Sequence, residues 1–587
     1  MTGSRHVAMA TIVLVSCAAH ARAAADEPPD PAGALLEEAA QTAGAIRELI
    51  VLGVAGGRHE NIFIEFGASV TQGTLASADE RGIGVATRTA TISVPWKRVK
   101  PRRLYFIGKS YVPADDAFLR LLLGRYCVAH GLDKEARDEL GRAASLDASL
   151  EEQVTSSLAI ITEREARRRA VARPKASAPE KKRLRLPVTG RTAEVLAKLG
   201  RSHFMIGVTQ STHASWIKET REQGCRWDMR YQYLAGGINT RLSWRKVNRP
   251  DERYALNYLK ISDAQGVVPV ITWYEMRQSM PGGQMKGEAQ ANETNCKNVE
   301  TMRTYLGDVK FFMEVVATKF GKPVIFHVEP DLTGFFLTWN QYRKLGPDGI
   351  TVMVKSTGIA EVQDYPDTLT GFFQAIIHLR DTYAPNVLLA YHASLWGRPP
   401  PLKRIADLIN SGGGAGWDLI FTDPSDRDAA WKIANKYALH DTWWDDKRFE
   451  EWRTWSGEIH RMTGLPLMAW QIPTGNTIMA ACNNTAGHYM DNRPQYWLED
   501  YPKNTHLLEW AQAGYIGLLF GRGAGGNTHF GDAQKDGVTN PEPIEGNRGE
   551  TSSFPDDDGG YLRIRGAQYY RSPLLFDVRP SKKQARR

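Results

Sequence analysis

Past residue 200 the chain alternates short apolar runs with longer amphipathic ones. Eight of the short runs read as strands: HFMIGVT (203–209), DMRYQYL (228–234), VVPVITWYE (267–275), PVIFHVE (323–329), VLLAYHA (387–393), WDLIFTD (417–423), PLMAWQI (466–472) and YIGLLFG (515–521). Between them, TMRTYLGDVKFFMEVVATKF sets Met302, Tyr305, Val309, Phe312, Met313, Val316 and Phe320 on one helical face. TLTGFFQAIIHLRDTY does the same with Phe372, Phe373, Ile376 and Leu379. Eight such units in roughly 390 residues predict an α/β fold, a (β/α)8 TIM-like barrel with enlarged loops over 200–577. An open doubly wound sheet is the alternative. TQSTHASW stands where its dinucleotide-binding version would carry G-x-G-x-x-G, so that version has little support.

Upstream, residues 26–163 predict a small domain of a different kind. From about Glu60 to Val112 the text alternates (NIFIEFGASV, GVATRTATISVPWKRV), the mark of a β-rich unit. A helical pair follows, with Leu119, Leu122, Leu123 and Tyr126 on one face, a break at Gly131, and Ala136, Leu140 and Ala144 on the next. GLDKEARDELGRAASLDAS resembles a single tetratricopeptide unit, too little for a solenoid and read as a helical cap. Residues 164–199 (REARRRAVARPKASAPEKKRLRLPVTGR and onward) read as a basic Pro/Ala-rich linker, and 578–587 as a basic tail.

The first 25 residues read as an export signal: Arg5, an apolar stretch from Val7 to Val15, and Ala-x-Ala sites ending at Ala23 and Ala25. Leu14-Val15-Ser16-Cys17 also resembles a lipobox that would acylate Cys17, with ordinary cleavage ranked ahead. The expected destination is periplasm, cell envelope or medium. Cys127, Cys225, Cys296 and Cys482 show no short Cys/His spacing, which argues against a zinc site. No apolar run approaches the length of a membrane-spanning helix. The net charge of +8, from 74 Lys+Arg against 66 Asp+Glu, invites a nucleic-acid partner until its distribution is read. Signal, linker and tail hold more than all of it and leave about −8 for the folded parts, so nucleic acid drops out. An anionic envelope surface touched by the linker and tail fits better.

In such a barrel the chemistry sits at the carboxyl ends of the strands, so position along each strand sorts the polar residues. Asp228 opens its strand and belongs to the stable end, whereas Glu275, Glu329 and Asp423 close theirs. Glu329, in IFHVEPDLTGFF, lies two residues after His327, and Asp331 follows in the loop. Paired carboxylates at one mouth serve glycosidic cleavage, in which one protonates the leaving oxygen and the other attacks or activates water. The expected pair is Glu329 with Asp423, with Glu275 and Asp331 positioning or tuning them. A salt bridge to Arg230 or Arg277 is the plain alternative for such groups. Many barrel glycosidases carry glutamates at the ends of strands four and seven; strand seven here ends with Gln471, a departure that puts that mechanism in doubt.

Fifteen of the 16 tryptophans follow the linker. Trp273, Trp396 and Trp470 fall near strand ends and Trp443 and Trp444 in a long loop, and indole faces stack on pyranose rings. With His327, His392 and Gln471 they form the expected substrate-binding set. Core filling is the commoner use of any single tryptophan. No metal is expected from a recognised motif, although Asp532, Asp536 and Asn540 in GDAQKDGVTN and the trio Asp556, Asp557 and Asp558 are oxygen-rich turns open to Ca²⁺. His327 and His392 with an acid would be the nucleus of a metal-dependent hydrolase of envelope glycans.

Several blocks, WDMRYQYLAGGIN, FHVEPDLTGFF, PLMAWQIPTGN and DDDGGYLRIRGAQYY among them, resemble a group of secreted bacterial barrel proteins similar to glycoside hydrolases. Val328 to Asp331 also resembles a string found in family six glycoside hydrolases. The resemblance covers 200–577 and implies an exported barrel that hydrolyses a polysaccharide. A carbohydrate-binding barrel without hydrolytic activity is the leading alternative.

Overall fold

The computed structural model describes residues 31–578, except 67–68, 88–89, 173–184, 210–214, 339–341, 343, 438–441, 524, 540–549, 551 and 553. The signal region with Cys17, the heart of the basic linker, Asn540 and the basic tail therefore lie outside the described residues. The chain divides into two compact units, Met1–Arg173 and Pro174–Arg587.

In the first unit the helix Pro31–Ala55 precedes a four-stranded antiparallel sheet, β1 (Asn61–Phe66), β2 (Ser69–Ala78), β3 (Gly82–Ala86) and β4 (Thr91–Pro95), paired in chain order. The last part of the segment read as β-rich is a helix, Pro101–Tyr111. It buries Leu104, Tyr105, Ile107 and Tyr111, a spacing of one to four residues rather than two. The expected helical pair is present as Ala117–Ala129 and Asp133–Leu146. Glu139 is fully buried and is held by Arg120 Nη1 at 2.8 Å, Lys109 Nζ at 2.5 Å and Tyr105 Oη at 2.8 Å, so its charge is paired.

The second unit opens with β5 (Arg185–Val188) and the helix Gly190–Leu199. Both lie inside the stretch read as linker. The helix is amphipathic and buries Ala193, Val195, Leu196 and Leu199, a pattern that the surrounding Lys/Arg-rich composition obscures.

Eight parallel strands then close a barrel: β6 (Met205–Thr209), β7 (Met229–Ala235), β8 (Val268–Tyr274), β9 (Val324–Val328), β10 (Val387–His392), β11 (Leu419–Thr422), β12 (Leu467–Ile472) and β13 (Tyr515–Phe520), with β13 pairing back to β6. Seven lie within their predicted runs and β7 extends one residue past its own, to Ala235, and the (β/α)8 fold is established by this order. β14 (Leu575–Val578) pairs in parallel with β5 outside the barrel. Asp228, just before β7, accepts from Arg201 Nε (3.1 Å), the Ile206 N–H (3.0 Å) and Tyr570 Oη (2.8 Å), and its Oδ1 lies 2.8 Å from His203 Nε2. That pins the amino-terminal end of the barrel, which frees the opposite end for loops and chemistry.

Candidate active site

Strand alternation decides which side chains enter the lumen. His327 on β9 stands beside Thr272 on β8 and Ala390 on β10. Its ring lies 4.4 Å from Phe421 and 4.8 Å from Trp470, so it fills the middle of the barrel. Tyr233 continues the aromatic wall toward the mouth, 5.9 Å from Trp470 and 6.1 Å from Tyr274. Residues one position away on the same strands point out to the helices. Trp273 is fully buried against Trp244, Tyr305, Phe312 and Phe326, in the layer between strands and helices. Arg230 likewise turns outward, donating to Ser262 Oγ at 2.7 Å and to the Tyr258 carbonyl at 3.0 Å.

At the mouth, His392 Nε2 lies 3.5 Å from both Asp331 Oδ1 and Asp423 Oδ1. One oxygen from each aspartate and one nitrogen of His392 all fall within 4.8 Å of one another. Beneath them, His392 Nδ1 is 3.0 Å from His327 Nε2, and His327 Nδ1 is 3.3 Å from Thr272 Oγ1. Burial disfavours charge on both rings. On His392 the two carboxylates overcome it and hold the ring up at about 9, while His327, facing that cation, is held well below the usual imidazole range. A charged His392 therefore donates from Nδ1 to neutral His327, which carries its own proton on Nδ1 toward Thr272. Burial raises Asp423 despite the opposing pull of His392.

The expected partner of Asp423, Glu329, is placed elsewhere in the same rim. Its Oε1 accepts from the Glu275 and Met276 N–H groups (3.1 Å each) and from Tyr305 Oη (2.8 Å). Only 3% of the residue is exposed, and burial lifts its carboxyl to about 8 in spite of those three donors. Glu275 is fully buried next to it, accepting from the Gly237 N–H at 2.7 Å, and burial and Glu329 raise it well above the usual range. Neither glutamate is salt-bridged to Arg230 or Arg277 among the described contacts. Glu329 and Asp331 both have positive φ, +38° and +69°, as does Gln471, +54°, at the end of β12. Such strain in non-glycine residues gathers at functional sites.

Glu288, Tyr233 and Tyr274 complete the mouth. Tyr274 Oη donates to Glu288 Oε1 at 2.5 Å and Tyr233 Oη to Gln471 Oε1 at 3.1 Å. Burial raises Glu288. Glu288 opens the helix Glu288–Cys296 within the long segment after β8, where the only sequence signal was the segment's length. The two tyrosines sat in strands marked by periodicity alone. A cleft of about 590 Å³ opens beside Tyr274, lined also by Arg241, Leu242 and Arg277. A second cavity, about 450 Å³, holds Trp443, 39% exposed, with Arg398 and Arg448. Trp396 is half-buried against Phe335, whereas Trp444 is buried against Phe449 and Trp452. Of the expected aromatic set, Trp470, Trp396 and Trp443 thus reach lumen or rim, and Trp273 and Trp444 belong to packing layers. The four cysteines with described positions are each buried and unpaired.

No protein-family model matches the chain, and no curated protein matches it. Solved barrels do. A modular endo-β-1,4-mannanase of glycoside hydrolase family 26 from Cellulomonas fimi is 13% identical, over 66% of this chain and 75% of that one, with a TM-score of 0.38. The catalytic domain of a family 26 endo-β-1,4-mannanase from Bacillus sp. JAMB-750 is 11% identical, over 69% and 100%, TM-score 0.35. The carboxyl transferase domain of Rhizobium etli pyruvate carboxylase also matches, 10% identical over 70% and 56%, TM-score 0.28. Barrels of unlike chemistry answer together, so these matches assign no activity.

Proposed function

We propose that the barrel is a glycoside hydrolase acting on a polysaccharide, with Asp331 and Asp423 as its reacting carboxylates. The observation that carries this reading is their convergence, within 4.8 Å, over His392 at an aromatic-walled mouth. That separation belongs with the closely spaced carboxylate pairs of retaining enzymes. Asp423, pushed up by burial, is the proton donor to the leaving oxygen, and Asp331, whose side chain is 31% exposed, is the group that attacks the sugar. His392 holds the two acids at fixed distance with a charge that neither has to supply. Glu329 and Glu275 tie the ends of β8 and β9 together beneath the segment carrying Glu288. Trp396 and Trp443, the accessible pair, offer faces for sugar rings, and Trp470 backs the lumen beneath them. On this reading the enzyme works outside the cytoplasm, where the export-type start would send it.

The test is hydrolysis of a polysaccharide panel by wild type and by Asp331→Asn, Asp423→Asn and Glu329→Gln proteins. Loss in both aspartate variants, with most activity kept in Glu329→Gln, supports the assignment. Binding without hydrolysis by the wild type would instead make the barrel a carbohydrate-binding module.

A second reading has its own observation. His392 Nε2 and Asp423 Oδ1 are both buried without a hydrogen-bond partner, and with Asp331 they form a nitrogen-and-oxygen donor set suited to a divalent ion. Activity abolished by chelation and restored by Zn²⁺ or Mn²⁺, but not by Ca²⁺, would favour metal-dependent hydrolysis.

A further inference from the structure

The two acidic turns that stand apart in sequence, GDAQKDG at 531–537 and DDD at 556–558, meet in space around His488, which arrives from the loop after β12. Within the second turn, Asp556 and Asp558 have clear partners. Asp556 grips Arg563 with both oxygens, at 2.8 and 2.9 Å. Asp558 accepts from the Gly560 and Leu562 N–H groups, at 2.8 and 2.9 Å, and so caps the helix Tyr561–Arg571. Asp557, between them, has no such partner. It is 1% exposed, and both of its carboxylate oxygens are buried without a side-chain partner. A carboxylate buried this way is costly unless something cationic faces it.

What faces it is an imidazole nitrogen and a second carboxylate. His488 Nδ1 lies 3.0 Å from the Asp557 backbone carbonyl, which can only accept, so that nitrogen carries the proton. His488 Nε2 lies 3.1 Å from Asp536 Oδ2, an ion pair when the ring carries both protons and a free ligand atom once Nε2 gives its proton up to a metal. A histidine whose other nitrogen is anchored to a backbone carbonyl is the usual posture of a metal ligand. Ligand atoms of His488, Asp536 and Asp557 lie within 4.8 Å of one another. Asp532, whose Oδ1 accepts the Asp536 N–H at 3.1 Å, stands behind them.

We infer that His488, Asp536 and Asp557 bind a divalent first-row transition ion, Zn²⁺ or Mn²⁺, that clips the loop after β12 to the loop after β13. Imidazole nitrogen with carboxylate oxygen selects such an ion over Ca²⁺, which takes oxygen ligands throughout. Each turn alone was open to Ca²⁺; the inferred ion is a different one and uses both turns and a histidine. The site is separate from the Asp331–His392–Asp423 trio and owes nothing to the hydrolase reading. Its role is structural: a shared ion fixes 473–492, after β12, against 521–560, after β13.

The test uses the full chain, stripped with chelator and titrated with Zn²⁺, Mn²⁺, Co²⁺ and Ca²⁺. Wild type should bind Zn²⁺ or Mn²⁺, gain a few degrees in Tm as ligand binds the folded state, and show a visible Co²⁺ spectrum. Asp557→Asn and His488→Gln, checked for native circular dichroism, should each weaken that ion by about 100-fold and speed proteolysis within 473–492 and 521–560. Asp331→Asn should leave it bound. Equal ion content in wild type and in both Asp557→Asn and His488→Gln overturns the inference, as does binding of Ca²⁺ alone. So does a wild-type protein that takes up no ion while an NMR titration shows His488 charged and paired with Asp536.

Discussion

Glu329→Gln is the perturbation whose magnitude the structure sets most directly. The wild-type carboxyl is 3% exposed and titrates at about 8, against an ordinary 4.5. Between those two values the unfolded chain has released its proton and the folded chain still holds it. Stability therefore falls as pH rises, by about 1.4 kcal/mol for each pH unit, with a ceiling of about 5 kcal/mol by pH 8. Glutamine has the shape of the protonated acid and keeps an oxygen for the Glu275 and Met276 N–H groups and Tyr305 Oη, so little is lost at low pH. Another raised carboxyl, Asp428 at about 8, gives wild type and variant the same slope and cancels in the difference. Denaturant unfolding at pH 5, 6.5 and 8, followed by tryptophan fluorescence, reads the barrel unit, because 15 of the 16 tryptophans lie in it. Relative to wild type, the variant should gain more than about 2 kcal/mol between pH 5 and pH 8. Parallel curves across that range would refute the claim that Glu329 is a buried acid that keeps its proton.

Asp331→Asn and Asp423→Asn should each lower kcat by about 100-fold or more with native circular dichroism retained, measured on whichever polysaccharide the panel identifies. His392→Gln removes the cation between the two acids and should move the pH–rate profile upward by about one unit; an unmoved profile would dissociate His392 from the pair. The stabilising share of His392 itself is present below its ordinary 6.5 and should fade as pH rises through about 9, which thermal unfolding of wild type against His392→Gln across pH 7–10 will show. Gly237→Ala forces an alanine to φ +85° and drives its Cβ to 2.2 Å from the Gln278 carbonyl oxygen. It should cost at least about 2 kcal/mol and displace the N–H that Glu275 accepts, seen as a lower unfolding midpoint.

The hydrophobic pattern was sufficient for the barrel. Eight apolar runs of strand length, spaced by amphipathic helices, admit few other closed arrangements, and every strand coincides with its run to within one residue. Position along a strand also separated Asp228, at the stable end, from Glu275, Glu329 and Asp423 at the mouth. A helix hidden in basic text, Gly190–Leu199, shows the limit of composition: charge averaged over a window says little when one face of three turns is apolar.

Which carboxylates meet was a tertiary matter. The period of two fixes the direction of a side chain only while the ladder lasts, and Glu329, Asp331 and Gln471 all follow or end their ladders with positive φ. Those turns sent Glu329 under the β8 loop to a bed of N–H groups and brought Asp331, read as an accessory, to His392 opposite Asp423. The same holds for Trp273, whose place near a strand end was legible but whose outward face was decided by packing against Trp244 and Phe326. The acidic turns at 532–536 and 556–558 read as two weak oxygen-rich loops. Only the closed barrel, by setting its seventh and eighth loops side by side, put His488 between them. Local sequence fixes elements because it acts through bonds and periodicity; sites form where distant segments end, and their distances exist only after the chain has closed.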